Sequence, residues 1–175
     1  MASTESVAFT VELATGEGAT RLRWDSGLTE DTADGSTASP WKLESEPDWR
    51  RLELIRLISA RFDDGGMLCL AALRPRKALG HGDDVAVARL FDAEGQETTT
   101  SDALVSVEYD AQGAPRRLGI ELWPEPDSAP VRVAADREGE IESGVESESG
   151  GDAVAMRFRL DGIEGSGRYE ILRPG

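Results

Sequence analysis

The chain has 175 residues and a mass of 18.8 kDa, a size that suits one domain. Nineteen Lys and Arg against 34 Asp and Glu leave a formal net charge of −15, which would repel nucleic acid and anionic membrane surfaces. The single cysteine, Cys69, excludes an internal disulfide. No secretory signal and no apolar run of roughly 18 residues is present, so we expect one cytoplasmic domain over residues 1–175 that neither spans nor binds a membrane.

Short runs with alternating or continuous apolar residues dominate the chain and are typical of β-strands. In chain order these runs cover residues 6–13, 67–73, 85–91, 103–109, 116–123, 131–135, 153–160 and 167–172. Strands of this length and spacing predict an all-β sandwich or barrel.

Turn chemistry supports antiparallel hairpins between these strands. The tetrapeptide Asp-x-x-Gly recurs at residues 63–66, 92–95, 110–113 and 136–139. Aspartate at the first turn position can accept a backbone hydrogen bond, and glycine at the fourth can adopt the left-handed conformation that closes a short hairpin. We therefore predict a hairpin turn at each copy.

Residues 47–62 fit two interpretations. Apolar residues recur at strand spacing, and the segment runs directly into the turn at residues 63–66, which favours a strand. The alternative is a short helix over residues 47–57, with Ser45 and Asp48 resembling a capping box.

Two polar, acidic stretches, residues 27–40 and 143–152, are predicted to be flexible loops. Six acidic residues between positions 136 and 148 are best explained as a solvated edge, because they lack the spacing of a calcium loop. One His and one Cys cannot supply a zinc site, and no phosphate-binding motif is present, so we expect neither a metal nor a cofactor.

Three segments resemble the lipocalin-like barrels of the AttH and carotenoid-hydratase type. They are SARFDDGGMLCLAALR within residues 58–74, ARLFDAEG and VSVEYDAQGAPRRLGIEL within residues 88–122, and FRLDGIEGSGRYEI at residues 158–171. The last segment matches the pattern R-x-x-L-D-G-x-x-G-x-G-x-x-E at Arg157, Asp161, Gly162, Gly165, Gly167 and Glu170, although the aromatic residue usual between the last two glycines is Ser166 here.

The resemblance implies an antiparallel up-and-down barrel of about 8–10 strands with an apolar interior. It also implies cofactor-free hydratase, isomerase or cyclase chemistry on polyene, polyketide or terpenoid substrates, of the kind found in secondary metabolism. The sequence leaves open whether such a barrel is hollow or filled, which substrate it takes, and its oligomeric state.

Strand alternation gives a set of residues expected to face the barrel interior. They are Phe9, Val11, Leu22, Trp24, Leu118, Ile120, Leu122, Met156, Phe158 and Leu160, with Tyr169 and Ile171 on one face of the last strand. Of these, Trp24, Ile120, Met156 and Phe158 are candidate ligand contacts, together with Trp49 near a barrel mouth and His81 in a glycine-flanked loop.

Charged residues at apolar positions are the candidate catalytic groups. Arg89 shares a face with Val85, Val87 and Phe91, and either Glu53 or Arg56 must point inward if their segment is a strand. A desolvated Glu53 would have a raised pKa and could transfer protons, while Arg89 or Tyr169 could polarise a carbonyl oxygen, and Arg56 is a further candidate substrate-binding residue.

Three functions fit these features. The first is a cofactor-free enzyme that acts on an apolar, unsaturated molecule inside the barrel. The second is a non-catalytic carrier of such a molecule. The third is a filled structural barrel whose acidic surface faces a protein partner. A polar group inside a cavity would favour the first, an apolar cavity the second and a packed interior the third.

Overall fold

The structure is a computed structural model that describes residues 8–15, 18–25, 40–78, 84–143 and 151–174. These residues form twelve strands and no helix, which confirms the all-β prediction. In chain order the strands are β1 (Ala8–Thr15), β2 (Gly18–Asp25), β3 (Trp41–Leu43), β4 (Leu52–Phe62), β5 (Met67–Pro75), β6 (Val85–Phe91), β7 (Glu97–Thr100), β8 (Ala103–Tyr109), β9 (Pro115–Leu122), β10 (Val131–Ser143), β11 (Gly151–Leu160) and β12 (Ile163–Leu172).

The chain divides into two compact units, residues 1–48 and residues 49–175. The first contains a three-stranded antiparallel sheet in the order β1-β2-β3. Phe9, Trp24 and Trp41 form its aromatic cluster, with ring centroids 6.1–6.2 Å apart. We expected Phe9, Val11, Leu22 and Trp24 in the wall of one barrel, but they belong to this three-stranded sheet, in which β1 pairs with β2 and β2 pairs with β3.

The second unit is a nine-stranded antiparallel sheet in the order β7-β6-β5-β4-β12-β11-β10-β9-β8. Strands that neighbour one another in the sheet are consecutive in the chain, except where β4 pairs with β12. The edge strands β7 and β8 are also consecutive, and the Thr100 hydroxyl donates to the Trp123 carbonyl oxygen at their corner, at 2.8 Å. The sheet thus curls into a nearly closed up-and-down barrel, as predicted.

Three of the four Asp-x-x-Gly segments lie in hairpin turns. Gly95 and Gly113 have φ values of 83° and 80°, and the carboxylates of Asp92 and Asp110 accept backbone N–H groups within the same turns. At residues 63–66 the left-handed residue is Gly65 rather than the fourth-position glycine. The fourth prediction was wrong: residues 136–139 lie inside β10, which runs on to Ser143 with a register shift between Arg137 and Ile141.

The glycine-rich segment 162–167 provides a turn and then a close strand contact. Asp161 and Gly162 have φ values of 49° and 80° and form the turn between β11 and β12. Within β12, a Cβ atom added at Gly167 would meet the Ser59 carbonyl oxygen at 1.9 Å. A side chain is therefore excluded at Gly167, where β12 pairs with β4.

Alternate residues of the barrel strands share one apolar cluster in the interior. Its buried members are Leu54, Ile58, Ala60, Phe62, Leu68, Leu70, Ala72, Ala86, Ala88, Val105, Leu118, Ile120, Leu122, Val133, Ala135, Val154, Met156, Phe158, Tyr169 and Ile171. Leu68, Leu118, Met156 and Phe158 have no accessible surface at all. A ligand-sized void would leave its walls accessible, so side chains fill the space around these four residues.

Residues 47–57 form no helix, so the helical alternative was wrong. Residues 49–51 form a turn and β4 begins at Leu52. Central β4 and β5 are buried on both faces, as the continuous apolar run at 67–73 suggested.

The described residues contain no helix that is long and apolar enough to cross a membrane. The two predicted acidic loops lie largely outside the described residues.

Candidate functional site

Arg56 places a charged group inside the apolar barrel. It lies on the inward face of β4, between Leu54 and Ile58, and is only 3% exposed. Glu53 is exposed, so of the two charged residues considered for the interior only Arg56 lies there. A buried guanidinium requires hydrogen-bond partners, because an unpaired buried charge costs several kcal/mol.

The closest partner of Arg56 is a neutral group on the neighbouring strand. Its Nε–H donates to the Tyr169 hydroxyl oxygen at 2.9 Å, and Tyr169 is fully buried on the inward face of β12. This bond uses an oxygen lone pair of Tyr169. Within the described part of the chain, the Tyr169 O–H itself donates to no acceptor.

The carboxylate of Asp84 accepts hydrogen bonds from two arginines, Arg56 and Arg74. Arg74, at the end of β5, donates from Nε to Asp84 Oδ1 at 3.0 Å and from Nη2 to Oδ2 at 3.4 Å. Arg56 Nη1 reaches the same Asp84 Oδ2 at 3.4 Å. We call Arg56, Tyr169, Asp84 and Arg74 the Arg56 cluster. It lies at the barrel end where β4 and β6 begin and β5 and β12 end.

Burial and hydrogen bonding shift the pKa values of Tyr169 and Arg56. Burial raises the pKa of Tyr169 to about 12, with Arg56 acting in the opposite direction, so the phenol is neutral near neutral pH. Burial lowers the pKa of Arg56, but Tyr169, Asp84 and Tyr109 together outweigh it, and the pKa is raised overall. A permanently charged guanidinium therefore lies beside a protonated phenol.

Tyr109 contributes a partly exposed side chain near this pair. It is 47% exposed, and its hydroxyl group helps to raise the pKa of Arg56. The β8–β9 register shifts between Glu108 and Tyr109, opposite Pro115. A bulge of this kind re-aims a side chain at the end of a strand.

The two other proposed catalytic residues lie outside the interior. Glu53 is exposed, so the desolvated carboxyl group that we expected is absent there. Arg89 lies on the outer face of β6, where it pairs with Glu97 at 3.2 Å. Its predicted inward position was wrong because Ala86, Ala88 and Leu90 form the inner face of that strand.

The predicted ligand contacts divide into three groups. Ile120, Met156 and Phe158 face the interior, as expected. Trp24 lies in the three-stranded sheet and Trp49 in the turn before β4, where its carbonyl oxygen accepts a bond from Arg76. His81 lies outside the described residues.

Sequence reasoning did not single out Arg74 or Tyr109. Arg74 follows Leu68, Leu70 and Ala72 at the same alternation, a signal that could have placed it at an inner end of β5. Tyr109 gave no such signal because its orientation depends on a register shift. Among the described residues, no group of three or more His, Cys, Asp or Glu could hold a metal ion.

Comparison with known proteins supports the fold alone. No protein-family model and no curated protein matches the chain. Among solved structures, the chain is similar to that of an AttH candidate from Nitrosomonas europaea, with a TM-score of 0.56 and 16% identity. The match covers 95% of this chain but 51% of that one, so this chain spans about half its length. The second unit is thus a nearly closed antiparallel β-barrel, and the fold of the chain is similar to that of this AttH candidate.

Proposed function

We propose that the barrel binds an apolar, unsaturated small molecule of the polyketide, polyene or terpenoid type at the Arg56 cluster. We further propose that it promotes cyclisation, isomerisation or hydration of this molecule without a cofactor. The observation that carries the proposal is the Arg56–Tyr169 pair, which places a charged guanidinium and a protonated phenol in an otherwise apolar interior.

Tyr169 is suited to donate a hydrogen bond to a ligand oxygen. Its pKa of about 12 keeps the proton on the phenol, and its oxygen already accepts a bond from the cationic Arg56. A hydroxyl that accepts from a cation becomes a stronger donor, and low local polarity strengthens the bond further. Negative charge that develops on a ligand oxygen would be stabilised there.

The apolar strands would supply the second part of catalysis. A flexible unsaturated chain held against Ile58, Met156 and Phe158 loses its freedom before the reaction rather than during it. Such ordering can lower a barrier by several kcal/mol without a nucleophile. This explains how a site with no metal cluster among its described residues could still be catalytic.

Binding at this site requires side chains to move, because Arg56 and Tyr169 are 3% and 0% exposed. Tyr109 is the side chain whose movement would admit a ligand, because it is half exposed, follows a bulge and interacts with Arg56. Displacement of its ring would open this end of the barrel.

The direct test is native mass spectrometry of protein purified from its own host, followed by organic extraction and structural identification of any bound molecule. The recovered compound, or its unsaturated precursor, is then incubated with wild-type protein, with Tyr169→Phe and with Glu53→Gln as an exposed control on β4. Turnover that Tyr169→Phe lowers at least about tenfold and Glu53→Gln preserves supports the proposal. A compound that binds but is returned unchanged by wild-type protein favours a carrier instead.

A filled structural barrel is a second candidate, and the inaccessible inward side chains favour it. Leu68, Leu118, Met156 and Phe158 leave no accessible surface where a ligand would lie. If this candidate is correct, host-purified protein has its apo mass, and the Tyr169→Phe substitution alters stability without altering the binding of any apolar compound.

A further inference from the structure

The ligand class can be narrowed by the charge arrangement of the Arg56 cluster. Resting on the proposed function, we infer that its ligand is an apolar carboxylic acid, bound as the carboxylate by Arg56 and Tyr169. The inference depends on how the two arginines share Asp84. Arg74 binds both oxygens of this carboxylate, whereas Arg56 reaches one of them with a single nitrogen at 3.4 Å.

Arg56 is therefore a buried cation whose nearest partner, at 2.9 Å, is neutral. Charge–charge interactions fall off with distance, and they are strong where water is excluded. A guanidinium in this situation favours an additional anion close to its fork. A carboxylate forms shorter and stronger hydrogen bonds with a guanidinium than a neutral carbonyl group does.

Tyr169 supplies a second donor for the same group. Its O–H has no acceptor within the described part of the chain, and its pKa of about 12 means that it approaches an anion as a neutral donor. One ligand carboxylate could accept from Arg56 with one oxygen and from Tyr169 with the other. A neutral alcohol or ester would leave part of this donor set unpaired, which costs binding free energy.

The surroundings require the rest of the ligand to be apolar. Leu54 and Ile58 flank Arg56 on the inner face of β4, and Ile171 lies directly opposite it on β12. A small inorganic anion would lose its hydration against these side chains and would gain no apolar contact with them. An acid with a hydrocarbon chain places its carboxylate at the donors and buries its chain against the interior.

The test compares three probes of equal chain length: decanoic acid, 1-decanol and methyl decanoate. Isothermal titration calorimetry at neutral pH, below micelle-forming concentrations, measures binding to wild-type protein, Arg56→Gln, Tyr169→Phe and Arg89→Gln. Arg89 is the matched control because it is an arginine on the outer face of the same sheet. Circular dichroism establishes that each variant is folded.

We expect the acid to bind at least about tenfold more tightly than the alcohol or the ester, a difference of about 1.4 kcal/mol. Arg56→Gln should abolish this preference, Tyr169→Phe should reduce it and Arg89→Gln should preserve it. If Arg56→Gln does not fold, a reduced preference in Tyr169→Phe still supports the inference. An unchanged preference in Tyr169→Phe then contradicts it.

The remaining outcomes separate this inference from the proposed function. Equal affinity for all three probes would overturn the carboxylate inference and leave an apolar ligand site in place. A preference for the acid that survives in Arg56→Gln would overturn it too, because the acid would then bind elsewhere. No binding of any probe to the wild-type protein would contradict both proposals and favour the filled barrel.

Discussion

Arg56 and Tyr169 are 113 positions apart in the sequence, yet their side chains meet at 2.9 Å inside the barrel. They are not directly opposite each other: Arg56 pairs with Ile171 and Tyr169 with Ile58, so the hydrogen bond runs diagonally between β4 and β12. These are the first and last strands of the barrel sheet. The pair therefore links the two ends of the barrel chain through a polar contact in an apolar environment.

Removing the Tyr169 hydroxyl should destabilise the fold. Tyr169→Phe keeps the ring but leaves the buried Arg56 Nε–H without its acceptor, which should cost about 1–3 kcal/mol in the free energy of unfolding. Urea denaturation of both proteins measures the difference. Glu53→Gln, at an exposed position on β4, is the control and should change stability by less than about 0.5 kcal/mol. Equal stability of Tyr169→Phe and wild-type protein would show that the hydrogen bond makes no net contribution.

Local chemistry made the antiparallel hairpins predictable, whereas the barrel itself was implied by the family resemblance. The turns around Gly95 and Gly113 depend on aspartate and glycine at fixed spacing, and the strands that flank them follow. The same motif at residues 136–139 forms no turn, because strand pairing on both sides of β10 overrides the turn preference of the motif. Local pattern thus predicts hairpins where the sheet permits them.

The site was less predictable because it depends on which face of each strand is buried. Alternation could not decide β6, where Val85, Val87 and Phe91 lie outside and Ala86, Ala88 and Leu90 lie inside. It reduced β4 to a choice between Glu53 and Arg56. The contact of Asp84 with both arginines is a long-range feature that no spacing in the sequence encodes.

The pairing of β12 with β4 should not tolerate a side chain at Gly167. A Cβ atom there would lie 1.9 Å from the Ser59 carbonyl oxygen and 2.7 Å from the Ala60 Cα, both backbone atoms. Gly167→Ala should therefore cost roughly 3 kcal/mol or more, because the strands must separate. Gly119→Ala on β9 is the matched control, since its added Cβ would be 3.9 Å from the nearest atom. Thermal and urea unfolding measure the stabilities of Gly167→Ala and Gly119→Ala. Similar values would contradict the close approach of β12 to β4 at Gly167.

The turn after β8 should lose stability in acid. The Ala114 amide, Arg137 and the Gln112 amide hold the pKa of Asp110 below its ordinary value of 3.8. Because the folded pKa is the lower one, the stabilisation is complete above pH 3.8 and is lost as the pH falls through the lowered pKa. Unfolding free energies measured over this range should fall less steeply for Asp110→Asn. Arg137→Gln should have a partial effect, and identical slopes for wild type and Asp110→Asn would contradict the assignment.

The stability of the fold at alkaline pH should depend on the ionisation of Tyr169. Its folded pKa of about 12 exceeds the ordinary value of 10, so burial of the neutral phenol contributes stability that is complete below pH 10 and is lost as the pH rises towards 12. The chain has two tyrosines, so tyrosinate absorbance can be assigned by difference. Subtracting the titration of Tyr169→Phe from that of the wild type should leave one component with a midpoint near pH 12. A midpoint near 10 while the protein is still folded would show that Tyr169 is exposed to water, and the buried donor on which the proposed site depends would be absent.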